Sequence, residues 1–271
     1  MTRVEVVSAL SYPNRSNAAL RDQDVIYICI PTHNEASTVG VLLWKVRNVL
    51  GEFGRDYRIV VHDDASSDET PEVLQRYRRS LPLTVLRSDE HLGYGRSVEK
   101  LLRHVSKAAP YPKRDCAVVL QADFTERPDD VVAAVKILEG GVDIVVGSIE
   151  FGELHRVTRA VHWASRTFLH RIFAKAPVSD PLAGLRVYRV IVLKKAFRDS
   201  SQQKPLISAE RWAANAEMLG YLAPHARRIV EVPARLHYDL RTRPSRFRPW
   251  RTFLELARLP KSLWSSKAEE A

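Results

Sequence analysis

Apolar strand-like runs alternate with amphipathic helical patterns through the first half of this chain, and this alternation limits its possible folds more than any other feature. Residues 25–30 form the first apolar run, and side chains from Val39 to Leu50 then recur at helical spacing. The unit repeats, with strands predicted at 57–61, 83–86, 116–120 and 143–146 and helices at 69–79, 97–105 and 130–138. The spacing predicts an α/β fold with a mostly parallel sheet flanked by helices on both faces.

The pattern changes after residue 147. A long helical pattern rich in Arg and His covers 155–174, a helical pattern covers 208–220, and a short strand is predicted at 229–232. Residues 1–24 lack sustained periodicity. We therefore predict an N-terminal arm (1–24), one large domain (25–240) and a basic amphipathic C-terminal segment (241–271).

Polar loops follow three of the predicted strands, at residues 31–35, 62–68 and 121–126. Ligands bind at the carboxyl ends of strands in open α/β sheets, so we expect these loops to converge on one crevice. Gln121 and Asp123 are two residues apart and would point the same way in extended chain, towards one ion or one diphosphate. The competing interpretation, that these polar groups only cap the next helix, has equal weight on this stretch alone.

The other two loops also have two interpretations each. Asp63 and Asp64 could accept hydrogen bonds from a nucleobase or a ribose, or they could belong to a turn in which Ser67 or Asp68 caps a helix. We assign Asp68 to capping. Two adjacent carboxylates repel each other, however, and a turn needs only one. Glu35 and the backbone of 31–35 lie beside the same crevice, with a helix cap by Asn34 as the alternative.

Asp123 is the best candidate for a metal ligand. Mg²⁺ and Mn²⁺ are often held by one or two carboxylates together with substrate phosphates, so Asp123 with Gln121 and Thr125 as neutral neighbours would suffice once a diphosphate is bound. The loop around Gly93 is basic and contains two glycines, which suits close approach to a ligand, although a lone GxG is a weak signal and by itself favours a simple turn.

The net charge of +10 indicates a polyanionic partner. Five arginines within residues 241–251 could clamp a diphosphate, lie on anionic lipid with the amphipathic helix 250–259, bind nucleic acid or simply be solvated. Neither a membrane-spanning run nor a secretory leader is visible, which predicts a cytoplasmic location. Cys29 and Cys116 lie in apolar runs without a CxxC pattern, so buried thiols are predicted.

An ordered set of seven motifs resembles the pattern of family 2 glycosyltransferases of the GT-A fold. The motifs are PTHNE (31–35), DDASSDET (63–70), LGYG (92–95), QADFTERPDD (121–130), SDPLAGLRVYR (179–189), AEM (216–218) and EVP (231–233). The resemblance covers about residues 25–248. Within the family it is strongest to dolichyl- or polyprenyl-phosphate mannose synthases and related polyprenyl-phosphate sugar synthases.

The resemblance implies a GDP- or UDP-sugar donor and Mg²⁺ or Mn²⁺. It places Pro31, Glu35 and Asp63 at the nucleoside, Asp123 at the metal and diphosphate, and Arg186 and Arg241 at the phosphates. The full prediction is a donor site of Pro31, Thr32, Glu35, Asp63, Asp64, Gly93, Gln121, Ala122, Arg186 and Arg241, a metal site of Asp123, Gln121 and Thr125, and catalytic roles for Asp123, Asp180 and Glu217.

The chain departs from the family pattern at three points. Gln121 and Thr125 replace the first and last ligands of the family's DADLQ motif, so the predicted metal site depends mainly on the carboxylate of Asp123. Ile149 stands where relatives have an arginine, and the sequence RTRPSR lacks the glycine of the matching element.

The predicted activity is an inverting sugar transfer to a polyprenyl phosphate at a membrane surface, with mannose from GDP-mannose as the first expectation. A lipid phosphate needs no general base, whereas a hydroxyl acceptor would need Asp180 or Glu217. The alternatives are a soluble enzyme that modifies a small molecule or natural product and a non-catalytic nucleotide-sugar binding protein. Nucleic-acid binding is the weakest of the alternative functions, because the basic residues lack interleaved aromatic side chains.

Overall fold

One mixed sheet of seven strands organises the computed structural model, which describes residues 24–149, 178–198 and 205–234. The strands are β1 (Ile26–Thr32), β2 (Tyr57–Asp64), β3 (Leu83–Ser88), β4 (Cys116–Val119), β5 (Ile144–Ile149), β6 (Arg186–Arg189) and β7 (Ile229–Ala234). The order across the sheet is β3-β2-β1-β4-β6-β5-β7, and β6 alone runs antiparallel to its neighbours.

Helices cover both faces of this sheet, because successive side chains of each buried strand point to opposite faces. These helices are α1 (Ala36–Phe53), α2 (Thr70–Tyr77), α3 (Tyr94–Ala108), α4 (Pro128–Glu139), α5 (Val190–Arg198) and α6 (Arg211–Leu222), with a 3₁₀ turn at Ala223–His225. In β1, Tyr27 and Cys29 pack with α3, α5 and α6, whereas Ile26, Ile28 and Ile30 pack with α1, α2 and α4.

The chain reverses its direction across the sheet between β3 and β4. It runs outward from β1 through β2 to β3, and α3 then returns it to the other side of β1, where β4 pairs in parallel. The order of the strands therefore reverses between the neighbouring strands β1 and β4, and the loops after these two strands emerge side by side at the carboxyl end of the sheet. This is the switch point at which α/β sheets form a binding crevice.

The predicted α/β class and the predicted strands of the first half are confirmed. Two elements were not predicted, the strand β6 and the amphipathic helix α5 that follows it directly. The buried thiols are also confirmed: both cysteines are free and buried, and burial raises the pKa of Cys116 to about 12. No helix in the described part of the chain is both long and apolar enough to cross a bilayer. The predicted helix 155–174, the arm except for Asp24, and the segment 241–271 lie outside the described residues.

Candidate active site

A pocket opens at the switch point, where the three predicted loops do converge. Two further segments complete it: the loop between β3 and α3 with the first turn of α3, and the loop that leads into α6 with the start of that helix. The lining residues are Pro31, Thr32, His33, Glu35, Asp64, His91, Gly93, Tyr94, Ser97, Gln121, Ala122, Asp123, Glu210, Trp212 and Asn215.

The loops after β1 and β2 are joined mainly through Asn34. Its side-chain oxygen accepts hydrogen bonds from the backbone amides of Ser67 (2.8 Å) and Asp68 (3.3 Å), and its backbone amide donates to Ser66 Oγ (3.0 Å). Asn34 has a φ of 56°, a left-handed conformation that Asn tolerates better than most residues. It therefore connects two loops and does not cap α1 from its own chain segment. Glu35, which follows it, is held in the pocket wall.

The first turn of α1 is satisfied from the neighbouring loop. Asp68 Oδ2 accepts a hydrogen bond from the amide of Ala36 (3.1 Å), and Thr70 Oγ1 accepts one from the amide of Glu35 (2.9 Å). Asp68 Oδ1 also accepts from the amide of Thr70, the first residue of α2. Asp68 thus contacts the starts of two helices, and its assignment to capping agrees with these contacts.

Asp63 and Asp64 have separate structural partners, which explains how adjacent carboxylates can coexist here. Asp64 lines the pocket, and its carboxylate accepts the amides of Leu92 and Gly93 (both 2.8 Å). Asp63 is 1% exposed and lies outside the pocket wall. Its Oδ1 accepts from the Ser66 amide (3.1 Å), and Arg87 Nε lies 3.5 Å from Oδ2. The proposed contact of Asp63 with a nucleoside remains a prediction.

Two histidines that the sequence analysis did not single out stand beside Asp64. His33 Nδ1 lies 2.7 Å from the Asp64 carbonyl oxygen and His91 Nδ1 lies 2.9 Å from Asp64 Oδ2, so each ring donates from Nδ1. The ring centroids are 4.1 Å apart. The pair gives the pocket an aromatic surface next to Pro31. The sequence offers no signal for it, because only the fold brings residues 33 and 91 together.

The loop after β4 turns sharply, whereas the sequence predicted extended chain here. Phe124 has a φ of 61°, and Asp123 Oδ1 accepts hydrogen bonds from the amide (3.0 Å) and the hydroxyl of Thr125. Gln121 and Asp123 still face the same pocket, as predicted, but they do so through the turn. Thr125 is fully buried behind Asp123.

Gln121 is held by Glu126. The Gln121 side-chain amide donates to Glu126 Oε1 (2.8 Å), and its backbone amide donates to Oε2 (2.9 Å). Gly184 makes room for this pair, since a Cβ atom there would lie 2.0 Å from Glu126 Oε1. Within the described residues, no three His, Cys, Asp or Glu side chains form a metal-binding group. A single pocket-facing carboxylate nevertheless suits Mg²⁺ or Mn²⁺ when phosphate oxygens supply further ligands.

Three predicted site residues lie behind the pocket wall. Arg186 is 1% exposed and donates from Nε to the carbonyl of Ala183 (3.0 Å) and from Nη2 to that of Pro181. Asp180 Oδ1 accepts the amide of Leu182 (3.1 Å). Glu217 is fully buried and accepts the amides of Ser208 and Ala209. In this geometry these side chains support the wall, and their contact with substrate stays a prediction. Arg241 lies outside the described residues.

The wall contributed by α6 and its preceding loop was not predicted. It adds Glu210, Trp212 and Asn215 to the pocket lining. Tyr94 donates from its hydroxyl to Asn215 Oδ1 (3.0 Å), which ties α3 to α6, and burial raises the pKa of the Tyr94 phenol above its usual range. The helical pattern at 208–220 was visible in the sequence, but the fold alone shows which of its residues reach the pocket.

Comparison with protein families gives one match that covers more than half of the chain. The family described as "Glycosyl transferase family 2" matches residues 27–197, which contain the loops after β1, β2 and β4.

Proteins with named activities are also similar to this chain. Dolichol-phosphate mannosyltransferase of Pyrococcus furiosus is 30% identical over 178 residues, which are 62% of this chain and 47% of that protein. Undecaprenyl-phosphate 4-deoxy-4-formamido-L-arabinose transferase of Edwardsiella ictaluri is 26% identical over 221 residues, or 78% of this chain and 59% of that protein. The chain therefore spans about half the length of these relatives.

Solved structures share the GT-A fold. Glucosyl-3-phosphoglycerate synthase from Mycobacterium tuberculosis, in complex with Mn²⁺, UDP and glucosyl-3-phosphoglycerate, aligns with a TM-score of 0.59 at 19% identity and covers 96% of this chain and 88% of that one. Mannosyl-3-phosphoglycerate synthase from Rubrobacter xylanophilus aligns with a TM-score of 0.58 at 17% identity, and the alignment covers 92% of this chain and 77% of that one. At these identities the likeness shows the fold alone.

Proposed function

The chain belongs to glycosyl transferase family 2, and from this premise we propose that it transfers a sugar, with inversion, from a nucleotide-diphosphate donor to an acceptor bound in the same pocket. The observation that carries the proposal is the pocket at the switch point. It combines a wall suited to a nucleoside, formed by residues 31–35 with Asp64, and a wall that presents Asp123 to a diphosphate.

On the donor side, the base lies against His33 and His91, and Glu35 accepts hydrogen bonds from the nucleoside. Asp123 would hold Mg²⁺ or Mn²⁺ together with the donor phosphates. When bound, this ion neutralises the charge that develops on the leaving diphosphate. The contacts of Asp123 support this role, because Thr125 fixes the orientation of its carboxylate in the pocket wall.

On the acceptor side, we propose a polyprenyl phosphate, with mannose from GDP-mannose as the first sugar to test. The names of both relatives describe transfer involving a polyprenyl-type phosphate, and the net charge of +10 favours an anionic acceptor or surface. A phosphate is already anionic at neutral pH. The nucleophile therefore needs no general base, which is consistent with the burial of Asp180 and Glu217.

The test is a transfer assay with GDP- and UDP-sugars, Mn²⁺ and a polyprenyl phosphate, in which wild type is compared with Asp123→Asn. We expect the substitution to lower kcat/KM about 100-fold or more, because it removes the charge that faces the diphosphate. Asp129→Asn is the matched control: Asp129 is on α4, 40% exposed, and pairs with Lys45 at 3.0 Å. Activity in Asp123→Asn equal to that of the control would contradict the proposed role, and absence of transfer from every nucleotide sugar would contradict the function.

A hydroxyl-bearing small molecule is the second candidate acceptor, and one observation favours it. The described pocket wall contains four carboxylates, those of Glu35, Asp64, Asp123 and Glu210, and includes no Lys or Arg side chain. Such a wall repels a phosphate unless a cation or a residue outside the described part offsets it. Cosedimentation with anionic liposomes separates the candidates, because an enzyme of lipid phosphate is expected in the pellet and an enzyme of soluble acceptors in the supernatant.

A further inference from the structure

Two buried carboxylates on different helices hold four consecutive backbone amides, those of residues 206–209. Glu99 of α3 accepts from Leu206 (3.0 Å) and Ile207 (3.0 Å), and Glu217 of α6 accepts from Ser208 (2.9 Å) and Ala209 (2.7 Å). The carboxylates are 4% and 0% exposed. Hydrogen bonds from amides to a charged acceptor are stronger than neutral ones, and burial strengthens them further. We call this arrangement the two-glutamate clamp.

Gly95 allows the clamped segment to lie directly on α3. A Cβ atom at Gly95 would come within 2.5 Å of the Ala209 carbonyl oxygen and 2.7 Å of Ile207 Cγ2. No larger residue fits without moving the backbone. The clamp and the glycine together fix the position of the segment relative to the first turn of α3, which itself forms part of the pocket.

The residues directly after the clamped segment enter the pocket wall. Glu210 is exposed to the pocket and lies over Gly93, where a Cβ atom would be 3.7 Å from Glu210 Oε1. Trp212, two residues later, presents part of a largely buried ring to the same pocket. The clamp therefore sets the position of this carboxylate and this indole in the pocket that Asp123 also lines.

We propose that Glu210 and Trp212 bind a hydroxyl-bearing group of a substrate, and that Glu99 and Glu217 are positioning residues for them. An ionised carboxylate only accepts hydrogen bonds, so Glu210 complements sugar hydroxyls and opposes a phosphate. The exposed part of an indole offers apolar surface to the C–H face of a sugar ring. The inference rests on the proposed function, and the hydroxyls belong either to the sugar of the donor or to the acceptor.

The central test is Glu210→Gln, which keeps the size of the side chain. Isothermal titration with the nucleoside diphosphate that wild type binds should give a Kd no higher than that of wild type, because the nucleoside wall is untouched and one carboxylate that opposes the phosphates is removed. If the donor supplies the hydroxyls, the Kd of the nucleotide sugar rises about tenfold, as expected for one charge-assisted hydrogen bond. If the acceptor supplies the hydroxyls, the Kd of the nucleoside diphosphate and the Kd of the nucleotide sugar do not rise, and the KM of the acceptor rises by a similar factor. No change in any of the three constants overturns the inference.

The same titrations distinguish this inference from the proposed function. A wild-type protein that binds and turns over a nucleotide sugar, with unchanged constants in Glu210→Gln, contradicts the role of Glu210 alone. A wild-type protein that binds no nucleotide sugar contradicts both.

The clamp is tested with Glu217→Gln and with Ser208→Ala, a milder change that removes only the hydroxyl bonded to Glu217 Oε1 (2.9 Å). Both should change the same constant as Glu210→Gln, and the double variant Glu217→Gln/Glu210→Gln should be no worse than the worse single variant, because the clamp acts through Glu210. An additive double variant, or an equal loss of nucleoside diphosphate and nucleotide-sugar affinity, contradicts the positioning role.

Asp115→Asn is the matched control for the clamp. Asp115 is another fully buried carboxylate that accepts two backbone amides, those of Val25 (3.0 Å) and Tyr111 (2.8 Å), but it stands just before β4, at the opposite end of the strand from the pocket. Its substitution should lower the melting temperature and leave the ratio of the two dissociation constants unchanged. A changed ratio in this control would mean that loss of stability alone explains the clamp variants.

Discussion

His62 is a fully buried titratable residue in β2, two residues before Asp64. Its Nε2 lies 2.9 Å from Ser88 Oγ, and Lys100 Nζ donates to the same hydroxyl at 2.8 Å. Because an ammonium group can only donate, the Ser88 hydroxyl accepts from Lys100, and its own proton can be donated to Nε2 of a neutral His62. Burial, and then the nearby charge of Lys100, lower the pKa of His62 to about 4.

This lowered pKa predicts a pH-dependent loss of stability. The unfolded chain binds a proton at His62 below the ordinary histidine value of 6.5, whereas the folded chain binds it only near a pKa of about 4, so stability falls as the pH drops through that window. The full effect is about 3 kcal/mol, and it is absent in His62→Gln. Urea unfolding at several pH values between 7 and 4 measures it as the difference between wild type and variant. A difference that stays constant over this range would contradict the buried neutral histidine.

Which individual residues could be predicted depends on how local their partners are. The polar character of residues 31–35 and of Asp64, Gln121 and Asp123 is visible in the sequence because each follows an apolar run, and the structure places them in one pocket. The hydrogen-bond partners of the carboxylates were not visible. Asp64 is bonded to the amides of residues 92 and 93, almost thirty positions away, so its role depends on a contact that no local pattern encodes.

Between helices and loops, the contact of α3 with the clamped segment 206–209 predicts an asymmetry between two glycines. Gly95→Ala inserts a methyl group 2.5 Å from a backbone oxygen that is held by the clamp, and we expect it to destabilise the protein by about 2 kcal/mol. Gly51→Ala in α1 meets no atom within 4 Å, and the higher helix propensity of alanine should stabilise by roughly 0.5–1 kcal/mol. Chemical denaturation of both variants tests the pair. Equal effects would show that segment 206–209 is not fixed against α3.

The strand β6 was not predicted, and its sequence and pairing give a physical reason. β6 has four residues, begins and ends with arginine and leads directly into α5, so no continuous apolar run of its own marks it as a buried strand. Its arginines are nevertheless accommodated, because Arg186 donates to the turn at 181–183 and Arg189 donates to the carbonyls of Lys113 and Val142. The parallel strands are predictable because burial on both faces requires continuous apolar runs. A short antiparallel strand whose polar groups are satisfied by distant backbone has no such requirement.

The charge of the whole molecule and the charge of its pocket have opposite signs. The whole chain carries +10, yet the pocket wall in the described part contains four carboxylates and no Lys or Arg. A diphosphate brought into this wall meets charge of its own sign at short range, where screening by salt is weakest. A divalent cation at Asp123 would reverse the local sign. Binding of the nucleotide and binding of the cation should therefore be strongly coupled.

This coupling predicts how ligands change the stability of the entire protein. With Mn²⁺ or Mg²⁺ present, a nucleoside diphosphate at about 100 times its Kd stabilises the native state by about 2.7 kcal/mol, which corresponds to a rise in melting temperature of roughly 5–10 °C. With EDTA in place of the metal, the same nucleotide concentration should give less than about a third of that rise, because the carboxylate wall then opposes the phosphates. In Asp123→Asn the metal should add little to the nucleotide effect, whereas Asp129→Asn should behave as wild type. A nucleotide that stabilises wild type equally with and without metal would show that arginines outside the described residues, and not a cation at Asp123, neutralise the diphosphate.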